Sequence, residues 1–114
     1  MDVSKRTAMN AKLKTILTEL RDRLDALYGE RLVRLVLYGS QARGDAEPGS
    51  DIDVLVVLRG PVSPCEEIAR TEYASAELSL KHDEVIACVF VSVDQYENER
   101  SPLLLNVLRE GVPV

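Results

Sequence analysis

Two aspartates lie one residue apart at the start of an apolar run. Asp51 and Asp53 flank Ile52, and Val54–Leu58 follows. In a strand, side chains two residues apart point to the same face, with Cα atoms roughly 6 to 7 Å apart. Two carboxylates at that spacing can hold a hard cation, which takes oxygen ligands. The pair therefore predicts a metal site where a strand begins.

A glycine–serine turn precedes the aspartates. Gly39 and Ser40 directly follow Leu35–Tyr38, an apolar run typical of a buried strand. Backbone N–H groups and a hydroxyl in such a turn can bind a phosphate. Taken separately, the turn and the acidic pair each fit an ordinary structural role. Their order, after one strand and before the next, favours a nucleotide site and metal-assisted phosphate chemistry.

The segment that joins these residues has a recognisable form. From Gly39 to Asp53 it reads G-S-Q-A-R-G-D-A-E-P-G-S-D-I-D. It resembles the signature of nucleotidyltransferases with the DNA polymerase β-like fold. In size the chain is similar to the minimal nucleotidyltransferases, the MNT or MntA-like antitoxins, and a weaker likeness extends to Arg109–Val112. The resemblance implies one nucleotidyltransferase domain over residues 1–114 and an α/β (α+β) fold with a small mixed sheet.

The resemblance also implies an activity and roles for particular residues. Such proteins transfer a nucleoside monophosphate, here AMP from ATP, to an acceptor hydroxyl. Asp51 and Asp53 would hold two Mg²⁺ ions, while Gly39 and Ser40 would contact the β- and γ-phosphates. Arg43 would either pair with a phosphate or brace the loop against a carboxylate.

A third carboxylate completes the metal site in the family's fully active members. The candidates are Asp83 and Glu84, next to the predicted strand Val85–Ser92. Asp83 is favoured because its side chain is shorter and it stands where similar small members carry an aspartate. Glu84 would face the other side of the strand. If neither acid reaches the metals, the site could bind nucleotide yet turn over slowly or not at all.

The short chain predicts a protein partner. Little surface remains for an acceptor pocket once a core is built, so a second chain would complete it. The resemblance implies a HEPN-domain RNase toxin, which the antitoxin adenylylates on tyrosine or simply binds. Two alternatives stay open: a catalytically weak or inactive nucleotide-binding subunit, and a subunit acting on a small aminoglycoside-like alcohol. Apolar residues at Leu103–Leu105, Val107 and Leu108 lie on more than one helix face. They predict that part of this helix, or the first helix, forms an interface with the partner or a second copy; the alternative is that Leu103–Leu105 only closes the core.

Composition excludes other classes of protein. The 114 residues are 46% hydrophobic and 29% charged, with a net charge of −5 and no basic cluster. This argues against direct nucleic-acid binding, which needs clustered Lys and Arg. No apolar run is long enough to cross a bilayer, and Met1–Arg6 has no apolar segment of a signal peptide behind it, so we expect a cytoplasmic protein. Cys65 and Cys88 match no disulfide framework or zinc motif, and Cys88 is predicted to lie in the core.

The apolar periodicity predicts the order α-β-β-α-β-α. The predicted helices run from Ala8 to Tyr28, Pro64 to Leu80 and Ser101 to Gly111, and the strands from Leu32 to Tyr38, Asp51 to Leu58 and Val85 to Ser92. Ser63 and Glu66 predict a capping box for the second helix. Its apolar face is predicted to hold Ala69, Tyr73, Ala76 and Leu80. The last strand is nearly all apolar, which predicts burial on both faces.

Overall fold

The computed structural model describes residues 10–114 of the chain. Its elements in chain order are α1 (Ala11–Tyr28), a 3₁₀ turn (Gly29–Arg31), β1 (Leu32–Tyr38), α2 (Ser40–Arg43), β2 (Ile52–Leu58), α3 (Pro64–His82), β3 (Ile86–Ser92), α4 (Val93–Asn98), α5 (Pro102–Glu110) and β4 (Val112–Pro113). The predicted strands and long helices are all present, with bounds that differ by one or two residues. The predicted helix start at Ala8, and the segment Met1–Arg6 considered for a signal peptide, lie outside the described residues.

The four strands form one mixed sheet in the order β3-β2-β1-β4. β1 pairs antiparallel with both β2 and β4, whereas β2 pairs parallel with β3. Parallel neighbours need a crossover connection, and α3 supplies it between β2 and β3. The predicted α/β fold with a mixed sheet is confirmed.

The central strand β2 separates two apolar clusters. Ile52, Val54 and Val56 pack with α1 on one face of the sheet. Leu55 and Val57, on the other face, pack with α5. Since side chains alternate along a strand, Asp53 belongs to the α5 face. This alternation decides which helices can reach the candidate site.

Glycines stand at the C-terminal ends of α1 and α5. Gly29 ends α1 with φ 55°, a left-handed conformation that favours glycine, and Gly111 ends α5. At the other end of α5, Ser101 accepts a hydrogen bond from the Leu104 N–H. No helix among residues 10–114 is long and apolar enough to span a membrane.

The capping box predicted at the start of α3 is wrong. The Ser63 side chain makes no capping hydrogen bond, although its backbone carbonyl accepts from the Glu67 N–H. A capping box occurs instead at α4, where Ser92 and Gln95 bond reciprocally. The elements α2, α4 and β4 were not predicted, because they are short and have little periodicity of their own.

The predicted apolar face of α3 is also wrong. Tyr73 is 73% exposed and Leu80 is 85% exposed. The buried residues of α3 are instead Glu67, Thr71, Ala74 and Leu78. Two of these are polar, and burial does not penalise them heavily because their polar atoms are hydrogen-bonded: the Tyr28 hydroxyl donates to Glu67 at 2.7 Å, and Thr71 donates to the Glu67 carbonyl at 2.9 Å.

The third strand is not buried on both faces, contrary to prediction. β3 is an edge strand with only one strand beside it. Ile86, Phe90 and Val91 are buried, while Ala87, Cys88 and Val89 are half-buried. Cys88 is therefore half-buried and packs against the edge of the core. The strand beside it, β2, has a neighbour on each side.

Candidate functional site

The turn after β1 brings Gly39 directly against the Asp53 carboxylate. Gly39 has φ 78°, and a Cβ at this position would lie 2.5 Å from Asp53 Oδ2. Any other residue would clash with the carboxylate and strain the backbone. The register explains the proximity, because Tyr38, one residue earlier, pairs with Asp53. The two sequence motifs therefore meet in space through the β1–β2 pairing.

The short helix α2 follows the turn and carries Ser40 at its first position. The Gly39 carbonyl accepts hydrogen bonds from the N–H groups of Ala42 and Arg43, which closes the helical turn. The first N–H groups of a helix have no partner within the helix. Ser40 thus presents a hydroxyl and a backbone donor beside Gly39, as the motif predicts for phosphate contact.

The loop from α2 to β2 returns the chain to the two aspartates. The Ser50 N–H donates to the Glu47 carbonyl at 2.9 Å, and Gly49 has φ 88°, so Pro48 and Gly49 form a turn. Asp51 is exposed and Asp53 is half-buried. Burial raises the pKa of Asp53, and the negative charge of Asp51 raises it further. Two carboxylates whose charges repel in this way gain stability when a cation lies between them.

Arg43 contacts two carboxylates. Its Nε lies 3.1 Å from Asp45 Oδ2, and its Nη1 lies 3.1 Å from Glu110 Oε2. The hydrogen bonds that Arg43 donates to Asp45 and to Glu110 raise the pKa of its guanidinium. Of the two roles left open for Arg43, this arrangement is the loop brace. Nearly half of the side chain remains exposed, so the guanidinium can also be reached from solvent.

Glu110 also belongs to the site, although no role was predicted for it from the sequence. Its Oε2 accepts a hydrogen bond from the Gly39 N–H at 2.8 Å, and the carboxylate also accepts from Arg43. The only signal in the sequence was the likeness of Arg109–Val112 to the end of other small nucleotidyltransferases. The contact joins residues 71 positions apart, and local spacing cannot reveal it.

The candidate third acids lie in different surroundings. Glu84 forms an ion pair with Lys12 of α1 at 3.2 Å, which puts its side chain on the sheet face opposite Asp53. Asp83 is exposed and ends α3 in a left-handed conformation with φ 55°. In the adjacent strand, the residue that pairs with Asp53 is Ala87. Asp83 stays a prediction, and Glu84 is the less favourably placed of the two.

Asp51 and Asp53 fit a magnesium ion as a pair of ligands. Within residues 10–114, no three side chains of His, Cys, Asp or Glu form a group that could hold a metal. Mg²⁺ in nucleotide enzymes is commonly held by one or two carboxylates together with substrate phosphates and water. Asp51 and Asp53 supply such a pair, and Asp53 lies against the Gly39–Ser40 turn.

Comparison with known proteins gives the same family as the motif. The family model of the nucleotidyltransferase domain matches residues 14–106. A relative in Methanocaldococcus jannaschii, named as a protein adenylyltransferase, is 28% identical over 90 residues, which cover 73% of this chain and 90% of that protein.

Solved structures share the fold. A toxin–antitoxin complex crystallised with AMP-PNP has a chain with a TM-score of 0.62 and 19% identity, over 91% of this chain and 72% of that one. A mutant of the toxin–antitoxin complex MntA-HpeT gives a TM-score of 0.58 and 19% identity, over 88% and 69% of the two chains. A nucleotidyltransferase from Sulfolobus solfataricus gives 0.53 and 18%, over 97% and 83%. At these identities the likeness establishes the fold alone.

Proposed function

Because the chain belongs to the nucleotidyltransferase domain family, we propose that it transfers AMP from ATP to a hydroxyl group of a partner protein. The observation that carries the proposal is the contact between the Gly39–Ser40 turn and the Asp53 carboxylate. A phosphate-binding turn and a cation-binding pair are thereby held side by side. A triphosphate with its metal ion needs both at once.

Each residue of the site has a task in this proposal. The Ser40 hydroxyl and the N–H groups at the start of α2 bind the terminal phosphates of ATP. Gly39 lets the turn lie against the Asp53 carboxylate, because it lacks a side chain. Asp51 and Asp53 hold Mg²⁺, which would neutralise charge on the phosphoryl oxygens during transfer. Asp83 is proposed as the third carboxylate, and it would accept the proton of the attacking hydroxyl. The hydroxyl oxygen forms a bond to the α-phosphorus of ATP, the bond to the β-phosphate breaks, and pyrophosphate leaves.

The acceptor is proposed to be a protein. The M. jannaschii relative is named as a protein adenylyltransferase, and two of the structural neighbours come from toxin–antitoxin complexes. Both observations support an antitoxin that modifies its toxin, here a HEPN-domain protein on a tyrosine. We propose a single domain over residues 1–114 that acts together with this partner.

A second candidate is a subunit that binds nucleotide and transfers it slowly or not at all. The observation that favours it is the composition of the site, since the described residues bring together two carboxylates and not three. Under this reading the protein would neutralise its partner by association. A transfer assay with labelled ATP separates the two candidates, because only the first incorporates label into the partner.

Nucleotide binding is tested by thermal unfolding. Mg²⁺ with ATP should raise the Tm of the wild-type chain, since a ligand of the native state stabilises it by mass action. The double variant Asp51→Asn and Asp53→Asn should unfold at an unchanged temperature without ligand and lose the shift with Mg·ATP. The control is Asp94→Asn, at an exposed position of α4. An equal shift in wild type and double variant would remove the aspartates from the site.

A further inference from the structure

Glu110 has contacts that place it between the C-terminal helix and the phosphate-binding turn. We propose that Glu110 is a positioning residue, which fixes the Gly39 turn against Asp53 and holds Arg43 at the edge of the site. The inference rests on the proposed function, because it gives Glu110 a task in binding the phosphates of ATP. It assigns no direct contact between Glu110 and the nucleotide.

The position of Glu110 follows from strand pairing. β4 pairs antiparallel with β1, with Val36 opposite Pro113 and Leu37 opposite Val112. Continued by two residues, this register brings Glu110 opposite Gly39. The chain can make the approach because Gly111 has no side chain: a Cβ there would lie 2.5 Å from the Val107 carbonyl and 2.6 Å from Val36 Cγ1. The β4–β1 register and the absence of a side chain at Gly111 therefore place the Glu110 carboxylate at the Gly39 turn.

The Glu110 carboxylate makes two kinds of contact. It accepts a hydrogen bond from the Gly39 N–H at 2.8 Å, and it pairs with Arg43 at 3.1 Å. The Glu110 side chain is only 17% exposed, whereas Arg43 is 47% exposed. A hydrogen bond to a charged acceptor that is largely shielded from water is stronger than one between neutral groups. The contact is thus strong enough to fix the turn.

The Gly39 bond also defines which donors remain for phosphate. Because Glu110 already accepts from the Gly39 N–H, the terminal phosphates must be bound by Ser40 and the N–H groups that follow it. Gly39 then contributes the positive-φ conformation of the turn, while its N–H stays bonded to Glu110. Glu110 also pairs with Arg43, so one carboxylate contacts both the turn and the arginine. Removing Glu110 would release the turn and the arginine together.

Nucleotide binding by Glu110→Ala and Glu110→Gln provides the first test. Isothermal titration with Mg·ATP and with AMP separates phosphate positioning from general damage, because AMP lacks the β- and γ-phosphates. In Glu110→Ala we expect affinity for Mg·ATP to fall about tenfold, as expected for a lost charge-assisted hydrogen bond, and affinity for AMP to be unchanged. Glu110→Gln keeps an acceptor for the Gly39 N–H and should lose less. Glu97→Gln, on the exposed side of α4, is the matched control.

A second measurement does not depend on nucleotide. Hydrogen exchange of residues 39–45 should be about tenfold faster in Glu110→Ala than in wild type or Glu97→Gln, since the Gly39 N–H loses its acceptor. Unchanged exchange in that segment would overturn the positioning role. So would an equal loss of ATP and AMP binding, which indicates general damage, or full ATP affinity in Glu110→Ala. If wild type binds neither nucleotide while exchange changes as expected, the proposed function fails and the structural role of Glu110 holds.

Discussion

At the scale of single residues, substitution of the two candidate third carboxylates tests the proposed transfer reaction. Glu84 is committed to Lys12 on the far face of the sheet, whereas Asp83 is exposed and free of an ion pair among residues 10–114. We expect Asp83→Asn to reduce transfer of labelled AMP to the partner by about a hundredfold or more, because an amide cannot take the proton. Glu84→Gln should have a smaller effect. The reverse ranking would identify Glu84 as the third acid, and full activity in both would mean that two carboxylates suffice.

The buried carboxylate of Glu67 gives a prediction about pH and stability. Its side chain is 4% exposed. Burial alone would raise the pKa of Glu67, but the hydrogen bond from Tyr28 and the charge of Arg70 lower it overall. Burial, together with this carboxylate, raises the pKa of Tyr28 to about 12, so its hydroxyl remains a donor. Because the pKa of Glu67 is lowered, its stabilising contribution is complete above the ordinary value of 4.5 and is lost as the pH falls through the folded-state value.

Tyr28→Phe tests this network. The variant should lose about 1 to 3 kcal/mol of unfolding free energy at neutral pH, since the buried Glu67 carboxylate loses one of its two side-chain donors and keeps Arg70. The difference from wild type should shrink between about pH 5 and pH 3, where Glu67 becomes protonated. Urea denaturation across this range measures it, with the exposed Tyr73→Phe as control. A difference that does not vary with pH would contradict the charged network.

Residues linked by local spacing could be predicted from the sequence, and those linked by the fold could not. Gly39, Ser40, Asp51 and Asp53 lie in one segment, so the motif already contained their relationship. The contact between Gly39 and Glu110 depends on the pairing of β4 with β1. A two-residue strand has no periodicity to predict, and the site was therefore incomplete without the structure.

At the scale of elements, α3 shows how the buried face of a helix is determined. Leu78 is 3% exposed and Leu80 is 85% exposed, although the two lie only two positions apart. We expect Leu78→Ala to cost about 2 to 5 kcal/mol of unfolding free energy, because it leaves a cavity. Leu80→Ala should change it by less than about 0.5 kcal/mol. Urea denaturation of both variants measures the difference, and equal costs would mean that the observed face is wrong.

The same helix shows why apolar periodicity failed there. Counting apolar residues selected the face with Tyr73 and Leu80, whereas the helix buries Glu67 and Thr71 through hydrogen bonds. A sequence pattern treats such residues as solvent-facing, because it cannot show which donors will lie opposite them. In α1 the buried residues are leucines, an isoleucine and a tyrosine, so apolar spacing marks most of the buried face, although Leu27 is 43% exposed.

At the scale of the whole molecule, helices on both sides of the sheet carry exposed apolar side chains. On the α5 face, Leu105 is 42% exposed and Leu108 is 53% exposed, while Leu104 and Val107 fill the core. α5 thus has apolar residues on both its buried and its exposed side, as its sequence predicted. Exposed leucines on one helix suit a contact with another protein.

We therefore predict that α5 forms the interface with a partner protein or with a second copy of this chain. Leu105→Asp should abolish the association, because it puts a charge into an apolar contact, and it should leave the fold intact because Leu105 is exposed. Leu80→Asp, an exposed leucine of α3 on the opposite face of the sheet, is the matched control. Light scattering of the isolated chain comes first, since a clean monomer excludes a stable homodimer. Co-purification with a HEPN-domain partner then compares the variants: loss only with Leu105→Asp supports the α5 interface, and loss only with Leu80→Asp would move the interface to α3.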